Sequence, residues 1–368
     1  MTITVQDICD AIETWAPASL AYEWDKVGLS IGNPRAQVTR VLACLTVTRD
    51  TYRAARKAGA QMLVSHHPLI WEPLKALRPD LPHTRLCLDF VQAGIACFAA
   101  HTNLDAAPNG VNAALAEALG LRTVRPLLPV PHARQVKLVT FVPDTHLARL
   151  REALSEAGAG VIGSYAHCSF STPGTGTFRP GNSTNPFSGT KGAVNEEPER
   201  RFETLVPKSR LAGVLDALFA AHPYEEVAYD IIPLENRDPA IGLGMRGALE
   251  RTMSLDGFAR RVCKALALDH VRIVGAAKTR VRHVAVLGGA GGAEVNALPD
   301  DIDVYVTGDV KYHDAQAALD RGLAVIDAGH AGTEQVIVPV IARYLRGRFE
   351  ALKVTTFEEP VCFRVLGR

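Results

Sequence analysis

Short, unbroken apolar runs alternate with helix-patterned segments at both ends of this chain, and that alternation constrains the fold more than any other feature. Val41–Val47 (VLACLTV) is a nearly continuous apolar run and Gln61–Ser65 (QMLVS) a short one, and both suit strands buried on both faces. Ile95–Ala99 reads as another. Around them, Val5–Trp15 places Ile8, Ile12 and Trp15 at helical spacing, Thr51–Ala60 is rich in Ala and Arg, and helical patterns return near Leu86–Ala93 and over Gly110–Leu119. The last third repeats the scheme, with strands expected at His283–Leu287, Val304–Thr307 and Ala324–Ile326 and helices at Asp314–Asp320 and Glu334–Leu345. Such alternation implies an α/β layered sheet.

The middle differs. Strands are expected at Gln135–Val142, near Val161–Tyr165, at Arg201–Val206 and at Val227–Pro233, with capped helices over Thr145–Ala157 and Ser209–Ala221. That order, β-α-β-β-α-β, is the ferredoxin-like split arrangement. Ser171–Pro198, rich in Gly, Pro, Ser, Thr and Asn, reads as a long functional or mobile loop. The domains expected are therefore 1–132, the first half of an α/β core; 133–235, an inserted α+β ferredoxin-like domain; and 236–368, the second half.

The halves look alike. A Gly-Ile-Ala strand start leads to His101-x-x-x-Asp105, and a Gly-Leu-Ala start leads to His330-x-x-x-Glu334. Upstream, QMLVSHH parallels DVYVTGD, so a weak duplication interrupted by the insert is the reading. With 368 residues, 47% of them hydrophobic, the chain can bury a sizeable core over two or three domains. A formal net charge of +1 offers no global basic excess for nucleic acid. The start, MTITVQDICDAIETWAP, has no signal-peptide h-region, and no apolar run reaches the roughly 18 residues of a membrane span. Seven scattered cysteines without a C-x-x-C pair oppose a disulfide framework. A cytoplasmic protein with no membrane partner is expected.

The sharpest local chemistry is His66-His67-Pro68, at the end of a buried strand where α/β sites form. Alternation along a strand points the two imidazoles apart, so two adjacent ions suit them better than one; a structural or solvated pair is the alternative. His101 with Asp105, and His330 with Glu334, share helix faces by their spacing of four, although each acid alone could simply complement a helix N-terminus. Together the imidazoles and carboxylates form a mixed N/O donor set suited to Zn, Mn, Fe or Co rather than Ca or Cu(I). Two-metal sites of that kind usually activate water for hydrolysis. Trp24–Leu29 is a polar turn beside an indole. Asp309, Lys311 and His313 have the character of supporting or substrate-binding groups, or else of a solvated loop and helix start. Gly288–Gly292 could cradle a phosphate through its N–H groups but lacks the Lys-Ser/Thr of a P-loop. No G-x-S-x-G occurs, so a nucleophilic serine hydrolase has no support.

Five motifs in order, WDKVGL (Trp24–Leu29), SHHP (Ser65–Pro68), HTNLD (His101–Asp105), TGDVKYH (Thr307–His313) and GHAGTE (Gly329–Glu334), resemble the GTP cyclohydrolase I type 2 homologue family, also called Ngg-one-interacting-factor-three-like dinuclear metal-binding proteins. CSFSTPGTGTFRP (Cys168–Pro180) and HPYEEVAYDIIPLEN (His222–Asn236) resemble the insert of its long bacterial form. The resemblance implies two divalent metal ions per subunit held by His66, His67, Asp105, His330 and Glu334, with the two carboxylates as bridges. His101 would be a further ligand or the catalytic proton-transfer group, and Trp24, Asp25, Asp309, Lys311 and His313 would bind substrate or support the ligands. It further implies a homo-oligomer, a ring-shaped hexamer whose openings the insert covers. Ala290 stands where a hydroxyl residue is expected, which touches a substrate contact and not the metals. The function implied is metal-dependent hydrolysis of a nucleotide-like or phosphorylated small molecule, by name the opening of the GTP imidazole ring. A non-catalytic hexameric metal-handling or regulatory protein is the alternative.

Overall fold

Three parallel strands, walled on both faces, form the centre of each of two sheets. In the first, Arg40–Cys44, Met62–Ser65 and Ala96–Ala99 run parallel, and Gly28–Ile31 lies antiparallel at the edge beside Ala96–Ala99. In the second, Arg280–Val286, Val304–Thr307 and Ala324–Asp327 run parallel, with Arg272–Val274 antiparallel beside Ala324–Asp327. In both, the antiparallel edge strand comes first in the chain and the parallel strands follow in spatial order. The internal likeness of the sequence is thus a likeness of topology.

The halves are interlocked. Lys353–Thr356, from the far end of the chain, pairs with Arg40–Cys44 of the first sheet. Arg122–Leu128, from the first half, joins the second sheet through Leu243–Ser254. Burial on both faces explains the apolar runs. Val284, Val286, Val304, Val306 and Ile326 pack on one side with Leu115, Phe258 and Val262. Ala285, Tyr305 and Val325 pack on the other with Val295, Leu298 and Ala318. In the first sheet, Leu42, Cys44, Leu63 and Cys97 pack against Ala55 and Phe90.

Local signals set the helix ends. Thr48 and Thr51 form reciprocal caps that start the Arg49–Ala58 helix two residues ahead of the expected Thr51. Pro82 at the first position opens Pro82–Ala93 earlier than expected, because a missing N–H costs nothing there. The other elements of the two halves fall close to their expected places.

The computed structural model describes residues 2–130, 133–360, 362–363 and 366. They fall into two compact units, Met1–Val130 with Ala240–Arg368, and Pro131–Pro239. The sequence boundary after 132 adjoins residues outside the described ones, and the strand Tyr229–Arg237 runs two residues past the boundary at 235. The middle unit is a four-stranded antiparallel sheet of Ser169–Phe178, Asn195–Pro207, Arg134–Val142 and Tyr229–Arg237, in that spatial order. Helices Leu147–Glu156 and Leu211–Ala221 bury Leu150, Leu154, Val214 and Leu218 against Leu138, Phe202 and Val206.

Three expectations fail in this unit. Val161–Tyr165 is a tight turn closed by an Ile162–Tyr165 bridge, not a strand. Ser171–Pro198 is not one loop, because residues 169–178 and 195–204 pair as a hairpin. Neither helix has a side-chain cap; each begins from a short 3-10 turn. Among the described residues, no helix is long and apolar enough to cross a membrane, and all seven cysteines are free.

Candidate metal centre

The parallel strands end together, and their ends carry the donors. His66 and His67 follow Met62–Ser65, His101 and Asp105 follow Ala96–Ala99, and His330 and Glu334 form the short helix after Ala324–Asp327. His66 and Glu334 are buried, and the others are partly so. Their donor atoms form three overlapping groups, His66/His67/His101, His67/His330/Glu334 and His66/Asp105/Glu334, each with its atoms within 4.8 Å of one another. Contrary to strand alternation, His66 and His67 converge, with ring centres 5.1 Å apart. The strand ends at Ser65, so alternation no longer governs the pair.

Each imidazole is held from outside by its Nδ1. That of His66 donates to the Ala100 carbonyl at 2.9 Å, that of His101 to Asp25 at 2.8 Å, and that of His330 to Asp309 at 2.7 Å. Nδ1 of His67 lies 2.9 Å from the Thr46 hydroxyl. These outer partners leave Nε2 of His66, His67 and His330 facing the carboxylates, the arrangement metal-ligating histidines use. Glu334 sits between two sets. Its Oε1 is 3.6 Å from Nε2 of His66, while its Oε2 is 3.0 Å from Nε2 of His67 and 3.2 Å from that of His330.

The residues fit a cation. Nε2 of His66 and Oδ1 of Asp105 are buried, face each other at 3.8 Å, and have no hydrogen-bond partner among the described residues. Burying polar atoms unsatisfied costs free energy that a bound ion would recover. Protons partly stand in for it. Burial opposes a charge on His66, but Asp105 and Glu334 outweigh it and raise its pKa to about 9. The bond to Glu334 raises His330 to about 9. Burial pushes Asp105 up to about 6, against the pull of His66. Burial also works against the Glu334 charge, yet the bonds from His330 and His67 and the nearby His66 imidazole hold it well below the usual carboxylate range.

The other predicted residues separate. Asp25 is fully engaged: one oxygen accepts the Nδ1–H of His101, and the other accepts the N–H and hydroxyl of Thr102. These bonds overcome burial and keep it ionised. Trp24 is 54% exposed and stacks on Tyr22 at 5.6 Å, with Trp71 at 5.7 Å. Both indoles lie edge-on to His101. Lys311 and His313 are exposed at the start of the Tyr312–Asp320 helix, and no hydrogen bond or ion pair among the described residues links them to the donors.

Sequence reasoning missed Thr46, Trp71 and the Ala100 carbonyl. Thr46 and Ala100 lie just past the ends of Arg40–Cys44 and Ala96–Ala99, so the strand-end rule that singled out His66 would have reached them. The glycine loop has another use than phosphate. A Cβ on Gly289 would stand 2.2 Å from Oε1 of Glu334, and its φ of +70° is unfavourable to other residues. Gly289 also donates its N–H to Thr333, next to Glu334. Gly289→Ala is therefore expected to displace Glu334 and lower metal affinity at least tenfold with the chain still folded, as competition with a chelator would read. Unchanged affinity would mean that the loop does not set the carboxylate.

The chain is similar to known proteins over nearly its whole length. The family described as Duf34/NIF3 (NGG1p interacting factor 3) matches residues 3–360. A Halalkalibacterium halodurans protein named "GTP cyclohydrolase 1 type 2 homolog" is 43% identical over 326 residues, 88% of each chain. A Bacillus subtilis protein of the same name is 41% identical over 330 residues, 89% of this chain and 88% of the relative. A crystal structure of a Bacillus cereus protein related to NIF3 superposes with a TM-score of 0.88 at 40% identity, covering both chains completely.

Proposed function

The chain belongs to the Duf34/NIF3 family, and from that premise we propose that it is a dinuclear metal-dependent hydrolase of a nucleotide-like or phosphorylated small molecule. The observation that carries the reading is Glu334, buried with one oxygen toward His66 and the other toward His67 and His330. His66, Asp105 and Glu334 would hold one divalent ion and His67, His330 and Glu334 the other, with His101 within reach of His66 and His67. Zn, Mn, Fe or Co there would supply Lewis acidity and a nucleophilic water at neutral pH.

The remaining roles fall to the chain. Asp25 fixes the tautomer and direction of His101, so that its Nε2 can hold or pass a proton toward the reacting group. Trp24 and Trp71 give a planar substrate ring a surface on which to stack. A purine, to which the name of the relatives points, has such a ring. The reading includes a homo-hexamer, which light scattering would show at six times the chain mass.

The test pairs elemental analysis with a turnover screen over nucleotides and sugar phosphates. Two metal equivalents per chain, metal-dependent turnover, and a Trp71→Ala variant whose KM rises about tenfold at full metal are expected. Full metal without turnover across the screen would leave the metal-handling alternative. No metal after reconstitution would end both.

A further inference from the structure

Two motif stretches of the middle unit, Cys168–Pro180 and His222–Asn236, take no part in the metal centre, yet they meet each other. A cavity of about 610 Å³ lies in that unit, lined by Thr172–Pro180 from the first stretch and by Tyr224–Glu226 and Ala228 from the second. Its volume is that of a small-molecule site, for which roughly 300–1,000 Å³ is usual. The floor is the sheet face turned away from the two helices, where Phe141 and Arg201 are cross-strand partners. Gly174 keeps that floor bare: a Cβ there would meet nothing within 4 Å. The connecting segment closes over it. Phe187 packs 5.8 Å from the Tyr224 ring, and the Asn185 N–H donates to Glu225 at 2.6 Å.

The lining has a charge preference. The lining holds three carboxylates, Glu199, Glu225 and Glu226, and two guanidiniums, Arg179 and Arg201, with Glu199 accepting the Tyr224 hydroxyl at 2.7 Å. Arg201 is already paired with Glu203 at 2.8 Å, and its guanidinium lies 5.9 Å over the Phe141 ring. Arg179 is tied to the Gly192 carbonyl. An anion would meet three carboxylates against a single guanidinium without a carboxylate partner among the described residues, that of Arg179. A cation would meet aromatic faces and the exposed Glu226 carboxylate. We propose that this cavity binds an organic ammonium compound, with its apolar body among Phe178, Phe187 and Tyr224 and its charge beside Glu226.

Calorimetric titration of the full chain with benzyltrimethylammonium tests this, with phenylacetate as the anionic counterpart. The ammonium probe is expected to bind and phenylacetate not to. Gly174→Leu, which fills the cavity from open space, is expected to abolish binding, and Glu226→Gln, which removes the attracting charge, to weaken it about tenfold. The two variants make different perturbations, so misfolding of one leaves the other decisive. Chelator-treated protein is expected to give the same isotherm, which separates this site from the metal centre. Preference for phenylacetate, binding unaffected by both variants, or no binding to the unaltered chain would overturn the proposal.

Discussion

Replacing Glu334 with alanine is expected to strip the chain of metal altogether, whereas Asp105→Asn is expected to leave close to half. Glu334 is the carboxylate placed between two sets of imidazoles, and it belongs to two of the three donor groups while Asp105 belongs to one. Removing it therefore takes a donor from both positions at once. The loss in affinity should exceed the 10–100-fold that follows loss of an outer partner of a ligand, which is the class Asp25→Asn and Asp309→Asn fall in. A structural cost comes with it. His66, fully buried, would lose one of the two carboxylates that support its charge. Removing one partner from a buried ionic group destabilises strongly, by about 3–5 kcal/mol. Glu334→Gln keeps the volume and the packing, so it separates lost charge from lost packing. Elemental analysis of the three variants decides the matter. Equal metal in Glu334→Ala and Asp105→Asn would refute the bridging role.

The donors were legible in the sequence because they sit at strand ends. QMLVS running into His-His-Pro, and two strands each followed by His-x-x-x-acid, mark where parallel strands stop and side chains can gather. What holds the donors was not legible, because it comes from elsewhere in the chain. Thr46 reaches His67 across 21 positions, Asp25 reaches His101 across 76, and Gly289 yields space to a glutamate 45 residues on. Asp309 stood out by its local setting and Asp25 through motif resemblance, and only the geometry shows that each bonds to an imidazole. Lys311 and His313 share a motif and surface exposure with Asp309, but only Asp309 bonds to His330.

The order β-α-β-β-α-β expected of the middle unit is the one observed, and the segments misread within it have a physical reason. Ser169–Phe178 contains Pro173, Gly174 and Gly176, residues that argue against a central strand. It is an edge strand, where a missing N–H and missing side chains are tolerated, and its composition therefore mimics a loop. The apolar Val161-Ile162 pair drew the strand assignment instead, but Gly160 and Gly163 both take positive φ and fold that segment into a turn.

Protons and metal compete for the same groups, which gives stability an unusual pH profile. In chelated protein, His66 has its pKa raised from 6.5 to about 9: burial opposes its charge, and Asp105 and Glu334 prevail. A group whose folded pKa lies above its unfolded value stabilises while protonated in both states and loses that contribution as pH climbs to the folded pKa. His66 thus contributes fully below about 6.5 and nothing much above 9, a span worth about 3 kcal/mol. His330, raised to about 9 chiefly by Glu334, acts in the same direction, with less weight because it is partly exposed. The chelated chain should accordingly lose on the order of 5–10 °C in Tm between pH 6.5 and 9. Metal binding needs the same imidazoles unprotonated, so the metal-induced rise in Tm should grow over that interval. Thermal unfolding with and without chelator across pH 6–9.5 measures both trends. A chelated chain whose Tm is flat or rises would show that no buried imidazolium stands in for the ion, and the pairing of His66 with Asp105 and Glu334 would lose its physical basis.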